Sequence, residues 1–219
     1  MAQVVQIFER KAPLPRGPHG LSRAEVAESQ RTRLMAAFTE LLAERGYAGV
    51  RIGDLVARAG VSRASFYEHF ADKEECLLAA YELFAERVMS AITVPFGPNT
   101  SWTEFVDGML GGYLDILERD PTAARAFLVE MDAAGPRARQ RRRDAIHWFA
   151  EIWAQRHEQI RARDPSLGEL PPIAYLALAF SVRDIVQEAL LDVSSPPLRE
   201  LAPGLARLLN AVVLGAAAS

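Results

Sequence analysis

The 219 residues are half hydrophobic and 24% charged, with a net charge of −3 and a mean hydropathy near zero. That balance excludes intrinsic disorder, a collagen-like fibre and a disulfide scaffold, and it leaves length for one large or two small domains around a buried core. The lone Cys76 has no partner for an intramolecular bridge, no secretory apolar run precedes Glu9, Arg10 and Lys11, and Ile173 to Val182 is too short to cross a bilayer. The expectation is a cytoplasmic protein without a membrane span.

Charge is unevenly placed. From Arg10 to Arg63, ten Arg or Lys stand against five Asp or Glu, an excess of +5 that leaves −8 to the rest of the chain. The basic end is the candidate for touching phosphate, with a solvated face of mixed sign as the alternative.

Periodicity predicts helices throughout. Leu34, Ala37, Phe38, Leu41 and Leu42 repeat at three- and four-residue spacing and Gly46 supplies a stop. Ser22 and Glu25 stand at capping-box spacing, but the first apolar-periodic residue lies well beyond them, so the start is left open. Ile52, Leu55, Val56 and Ala59 mark a short second helix ended by Gly60, and Ser62 caps a third carrying Phe66 and Phe70. A fourth opens at Asp72, with Glu75 three residues on, and continues to Ile92. Ser101 and Glu104 open a fifth with Trp102, Phe105, Val106, Met109, Tyr113, Leu114 and Leu117 inward. Pro121 then punctuates. A shorter helix carries Ala126, Phe127 and Met131 to Gly135, and a long one displays Ile146, Phe149, Trp153 and Ile160. The helix entered through Pro171 and Pro172 is apolar nearly all round. The last shows Leu198, Leu201, Leu205, Leu208, Leu209 and Val212, with a kink expected at Pro203-Gly204.

No segment has the period-two alternation of a strand, so the expected fold class is all-α: an N-terminal three-helix head joined by a shared helix to a C-terminal helical bundle. The expected organisation is a flexible basic arm over 1–21, a head over 22–71 and a bundle over 72–219, with helix 72–92 connecting the two.

Ile52 to Phe70 reads as a helix-turn-helix. The turn Gly60-Val61-Ser62 offers glycine for a positive φ, an apolar residue to pin it, and a cap for the second helix. Phe66 and Phe70 anchor that helix, leaving Arg63, Ala64, Ser65, Tyr67 and His69 around its outward side, short enough to enter a major groove. Together Gly46-Tyr47, Asp54-Leu55, the run Ala59-Gly60-Val61-Ser62-Arg63-Ala64-Ser65-Phe66-Tyr67-Glu68-His69-Phe70 and Asp72-Lys73-Glu74 resemble the DNA-binding head of the tetracycline-repressor (TetR) family of bacterial transcriptional regulators. The match runs from about Arg33 to Tyr81, about a fifth of the chain; beyond it the likeness is one of architecture alone.

The resemblance implies a homodimer that reads a palindromic operator in double-stranded DNA. Arg63, Ala64 and Ser65 would face bases, with Arg63 able to grip guanine by two bonds. Ser62 would cap and approach a phosphate, and Tyr67, His69 and Lys73 would contact phosphates. Arg51 stands where the family usually has threonine; it has no oxygen with which to cap, yet a guanidinium still binds phosphate. Val56 stands in place of the usual alanine. Upstream, Arg16 in the proline- and glycine-rich stretch Leu14 to Gly20 either lies in a minor groove or has no role.

Trp102, Phe105, Met109, Tyr113, Phe127, Met131, Phe149, Trp153 and Tyr175 supply large apolar side chains to the bundle, as ordinary core or, if the family architecture holds, as the lining of a cavity for a small hydrophobic or aromatic effector. His157, on the stripe of Trp153 and Ile160, is either a satisfied core histidine or a group that orients the effector. The last two helices are expected to pack against a second copy. The run Arg137 to Arg143 reads as a solvated, partly paired face. No phosphate loop, metal-ligand spacing or nucleophile elbow is present, so neither a cofactor nor a metal is implied and catalysis is not expected. The rival readings are a ligand-binding dimer whose head binds protein, and a helical-bundle enzyme.

Overall fold

A computed structural model describes residues 7, 22–93, 96, 97, 99–192 and 194–216. Among them every regular element is helical. The elements are α1 (Arg23–Gly49), α2 (Ile52–Ala59), α3 (Arg63–His69), α4 (Lys73–Thr93), α5 (Trp102–Arg119), α6 (Pro121–Ala124), α7 (Pro136–Arg161), α8 (Pro172–Leu191) and α9 (Ala202–Ala216). The proposed arm, Arg16 included, lies outside the described residues apart from Ile7, which is buried and whose amide donates to Asp120 Oδ2 at 3.1 Å.

Local chemistry sets the boundaries. Helix α1 starts at the earlier of the two positions left open, because the capping box is complete: the Glu25 amide donates to Ser22 Oγ and the Ser22 amide to Glu25 Oε2, at 3.2 and 2.7 Å. Gly46 breaks the helix with φ 66° and ψ 168°, after which one further turn runs to Gly49. Ser101 and Glu104 form the same reciprocal arrangement ahead of α5, whereas at α4 Asp72 accepts from the Glu75 amide while Glu75 accepts from the amide of Ala71, one residue before the cap.

Two expectations are corrected. Residues 121–134 are not one short helix but α6, a π-helical turn at Arg125–Glu130 and a 3-10 turn at Met131–Ala134. Pro203 does not kink the last helix; it stands in the first turn of α9, where no amide hydrogen is required, behind a separate 3-10 turn at Leu198–Leu201.

The chain divides into two compact units. One comprises Met1–Phe84 with Arg119–Arg139; the other comprises Ala85–Glu118 with Gln140–Ser219, so the divisions fall within α4 and α7. The first unit is centred on Leu34, Phe38, Leu41, Leu42, Leu55, Phe66, Phe70 and Leu77, all almost wholly buried. Burying each such side chain contributes about 1.5–3 kcal/mol, and Phe66 on the seven-residue α3 with Phe70 at its C-cap therefore fix which face of the helix stays outside. The second unit has its own core: Trp102, Phe105, Val106, Met109, Leu110, Trp153, Tyr175, Val182, Leu205, Leu209 and Val213 among others.

Candidate nucleic-acid interface and buried donor cluster

In the first unit, Gly60 ends α2 in the left-handed conformation, φ 64° and ψ 41°, and Val61 returns its amide to Val56 O. Ser62 then caps α3, accepting from the Ser65 amide at 2.9 Å, while the two hydroxyls bond at 3.0 Å. With Phe66 sealed beneath, Ser62, Arg63, Ala64 and Tyr67 are exposed and Ser65 and His69 are half-buried. Tyr67 shows 52% of its surface to solvent, its ring edge-on to Phe66 at 5.3 Å. Arg51, the N-cap of α2, makes no side-chain capping bond and is exposed, as its chemistry requires. Glu68 shares the exposed surface of α3, an acid that sequence reading did not single out.

Much of the local positive charge is spent inside the head. Arg33 is 7% exposed and its Nη1 donates to Ala59 O and Gly60 O, at 2.9 and 3.2 Å, satisfying carbonyls at the end of α2. Arg58 forks onto Glu44 at 2.8 and 2.9 Å and reaches Glu40 at 3.1 Å. Arg45 meets Asp54 at 3.3 Å, and Arg31 lies over the Phe70 ring. Arg51 and Arg63 are instead exposed.

Two expected phosphate ligands are anchored. His69 Nε2 lies 3.2 Å from Gln30 Oε1. Lys73 donates from Nζ to Tyr47 O at 2.9 Å and Val50 O at 3.1 Å, and sits 4.1 Å from the Tyr47 ring centroid; burial pushes its pKa down. Its ammonium joins the start of α4 to the carbonyls after the Gly46 break, leaving one N–H for an outside acceptor. Spacing gave no sign of this, since the acceptors lie 23 and 26 residues upstream.

The expected effector-lining residues separate into two groups. Phe127 and Met131 are buried in the first unit, where Phe127 packs against Phe84 at 4.9 Å and Tyr81 at 5.8 Å. Trp102, Phe105, Met109 and Trp153 belong to the core of the second unit, with Tyr113 and Phe149 packed against it. That core also holds a polar cluster. His157 is 1% exposed, its Nδ1 lies 2.6 Å from Tyr175 Oη, and its ring meets Trp102 edge-on at 5.0 Å. Burial lowers the His157 pKa, assisted by the nearby Arg161, so the ring is held neutral; burial raises that of Tyr175. His157 Nε2, Trp102 Nε1 and Trp153 Nε1 are buried without a hydrogen-bond partner. Each such group costs about 1–3 kcal/mol relative to a satisfied one, so three in one core call for an account.

Beside this core a surface cleft of about 160 Å³ is lined by Phe96, Phe105 and Ile152 and by the polar Gln155, Arg156 and Gln159. Along α7, Arg137 pairs with Glu74 at 3.0 Å, Arg139 donates to Asp132 O and Arg143 to Gln140, which gives the arginine run the partly paired character expected of it. Among the described residues no helix is long and apolar enough to cross a membrane, and no three His, Cys, Asp or Glu side chains are grouped to hold a metal ion.

Comparison with known proteins agrees with the geometry of the head. Residues 34–80 match the family model described as bacterial regulatory proteins, tetR family. Over 71 residues the chain is 42% identical to the HTH-type transcriptional regulator CymR of Pseudomonas putida, covering 32% of this chain and 35% of CymR. Over 70 residues it is 36% identical to the uncharacterized HTH-type transcriptional regulator YxbF of Bacillus subtilis, covering 32% of this chain and 18% of YxbF. The chain thus spans about a third or less of these two curated relatives. The fold matches the crystal structure of the transcriptional regulator FadR of Bacillus subtilis in complex with stearoyl-CoA, with a TM-score of 0.69, 19% identity, and coverage of 81% of this chain and 96% of that one. The head of the chain thus matches the tetR family of bacterial regulatory proteins over residues 34–80, and the chain has the all-helical fold of the regulator structure it resembles.

Proposed function

We propose that the chain is a homodimeric DNA-binding transcriptional regulator, a repressor released from a palindromic operator by a small, largely apolar effector. In this reading 22–71 is the DNA-binding domain, 72–219 binds effector and partner, and the helix over 72–92 connects them. The observation that carries it is the face of α3: Arg63, Ala64 and Tyr67 exposed above a fully buried Phe66, at the position a recognition helix takes in a major groove. Arg63 reads a base edge with Ala64 and Ser65 beside it, while Arg51, Ser62 and Tyr67 meet phosphates. Lys73 and His69 act mainly by positioning, since both are bonded within the head.

Exposed Ile173, Ile185 and Leu191 on α8 and Leu208 and Leu214 on α9 support dimerisation through the last two helices. Two heads about 34–36 Å apart then enter successive major grooves. The apolar core of the second unit, and the stearoyl-CoA held by FadR of Bacillus subtilis, support an apolar effector. An effector that favours a state with the heads misplaced lowers operator affinity by its differential affinity for that state. The test is binding of duplexes from the flanking genomic region as a function of salt. Specific binding weakens steeply with salt, and Arg51→Ala lowers the logarithmic slope by about one. Arg63→Ala loses about 1–3 kcal/mol at one base position. Absence of any duplex bound above non-specific background overturns the reading.

A further inference from the structure

Three of the unpartnered buried nitrogens of the second unit, His157 Nε2, Trp102 Nε1 and Trp153 Nε1, share a sense. Neutral His157 has two tautomers. If Nδ1–H donates to the phenol, both the Tyr175 O–H and the Nε2 lone pair are stranded; if the phenol donates to Nδ1, only Nε2–H is. The second arrangement strands fewer groups and makes His157 Nε2–H a donor, like the indole N–H groups of Trp102 and Trp153. All three residues are at least nine-tenths buried, and none of the three nitrogens has an acceptor within hydrogen-bond distance. Such a set is complementary to an oxygen that only accepts.

A route to that set is visible in the ring contacts. Phe96 and Phe105 line the cleft and pack edge-on at 5.0 Å; Phe105 lies 5.6 Å from Trp102, which lies 5.0 Å from His157. Phe105 stands between the cleft and the donors. We propose that the second unit binds an uncharged, largely apolar molecule bearing a carbonyl oxygen, which enters from the cleft as Phe105 turns aside and places its oxygen on the N–H groups of His157 and Trp102, with Trp153 as a further donor. This rests on the effector-binding reading of the bundle and names the chemistry of the effector. A carboxylate fits less well on these three donors because all are neutral; the cationic Arg156, whose Nε is also buried without a partner, lies at the cleft with Nη2 bonded to Gly97 O.

The test uses the full chain and two probes of the same shape, 2-acetylnaphthalene and 2-ethylnaphthalene, followed by calorimetry and tryptophan fluorescence. The expected result is at least tenfold tighter binding of the ketone. Trp102→Phe and His157→Phe, which keep a ring in place, should each bring the ratio towards one while the hydrocarbon still binds. Trp153→Phe takes over the test if the histidine variant does not fold. Equal affinity of the two probes, no binding of the ketone, or an unchanged ratio in the variants overturns the proposal and leaves buried water as the partner of the donors. Duplex binding is measured in parallel. Lost discrimination with DNA binding intact overturns this inference alone, and lost DNA binding with discrimination intact overturns the regulator reading alone.

Discussion

The ammonium of Lys73 and the ring and carbonyl of Tyr47 form one unit, with Nζ 2.9 Å from Tyr47 O and 4.1 Å from the ring centroid. Together with the bond to Val50 O, this clamp fixes the start of α4 to the end of α1. Replacing Lys73 by Met strands two half-buried carbonyls and removes the cation over the ring, and should destabilise the protein by about 2–3 kcal/mol in urea unfolding. Its effect on the salt slope of duplex binding should be smaller than that of Arg51→Ala. A variant as stable as the parent would show that water replaces the clamp without cost.

Adjacent glycines of α5 should respond with opposite signs. A Cβ on Gly112 would come 2.6 Å from the Ala91 carbonyl oxygen, a backbone atom that cannot swing away, whereas one on exposed Gly111 meets nothing within 4 Å. Gly111→Ala should therefore gain about 0.5–1 kcal/mol through helix propensity. Gly112→Ala should lose about 1–3 kcal/mol by forcing α4 and α5 apart. Thermal melts of the two variants decide the matter, and equal shifts would contradict the close approach.

Neighbouring leucines of α9 likewise separate the proposed interface from the core. Leu205 and Leu209 are 4% and 1% exposed within their own unit, while Leu208 is 40% exposed. Light scattering should find the parent a dimer, as proposed above, and a Leu208→Arg, Leu214→Arg variant a folded monomer. Leu205→Arg should instead unfold the unit, because it buries a charge. A dimer that survives the first variant would place the interface elsewhere.

The depressed pKa of His157 makes stability depend on acidity. The unfolded chain takes up a proton near the ordinary value of 6.5, the folded chain only below it. Stability is thus fully present above about pH 6.5 and falls as pH drops below that value. Chemical unfolding of parent and His157→Phe between pH 8 and 5 should show a difference in stability that shrinks or reverses on acidification. Parallel curves would mean that His157 titrates alike in both states.

What was legible in the residues was local. Ser22 with Glu25, Asp72 with Glu75 and Ser101 with Glu104 announce helix starts because each device closes within four residues. Phe66 and Phe70 reveal the outward face of α3 for the same reason. Periodicity says that Phe127 and Met131 are buried but not against what, and the structure places them in the first unit, apart from the other expected lining residues. The stripe Leu205, Leu208, Leu209 spans two faces of one helix, and only packing tells which meets its own unit. Three buried ring nitrogens without partners leave no mark in a sequence at all.

Cys76, the chain's single cysteine, is wholly buried in α4, and burial pushes its thiol pKa up. To water-soluble alkylating reagents the folded protein is therefore blank. A thiol introduced at the surface, for instance by Ala64→Cys on α3, would be the single site at which a dye or spin label attaches, so the spacing of two recognition helices in an assembly becomes measurable by resonance energy transfer or pulsed electron resonance without first removing the native sulfur.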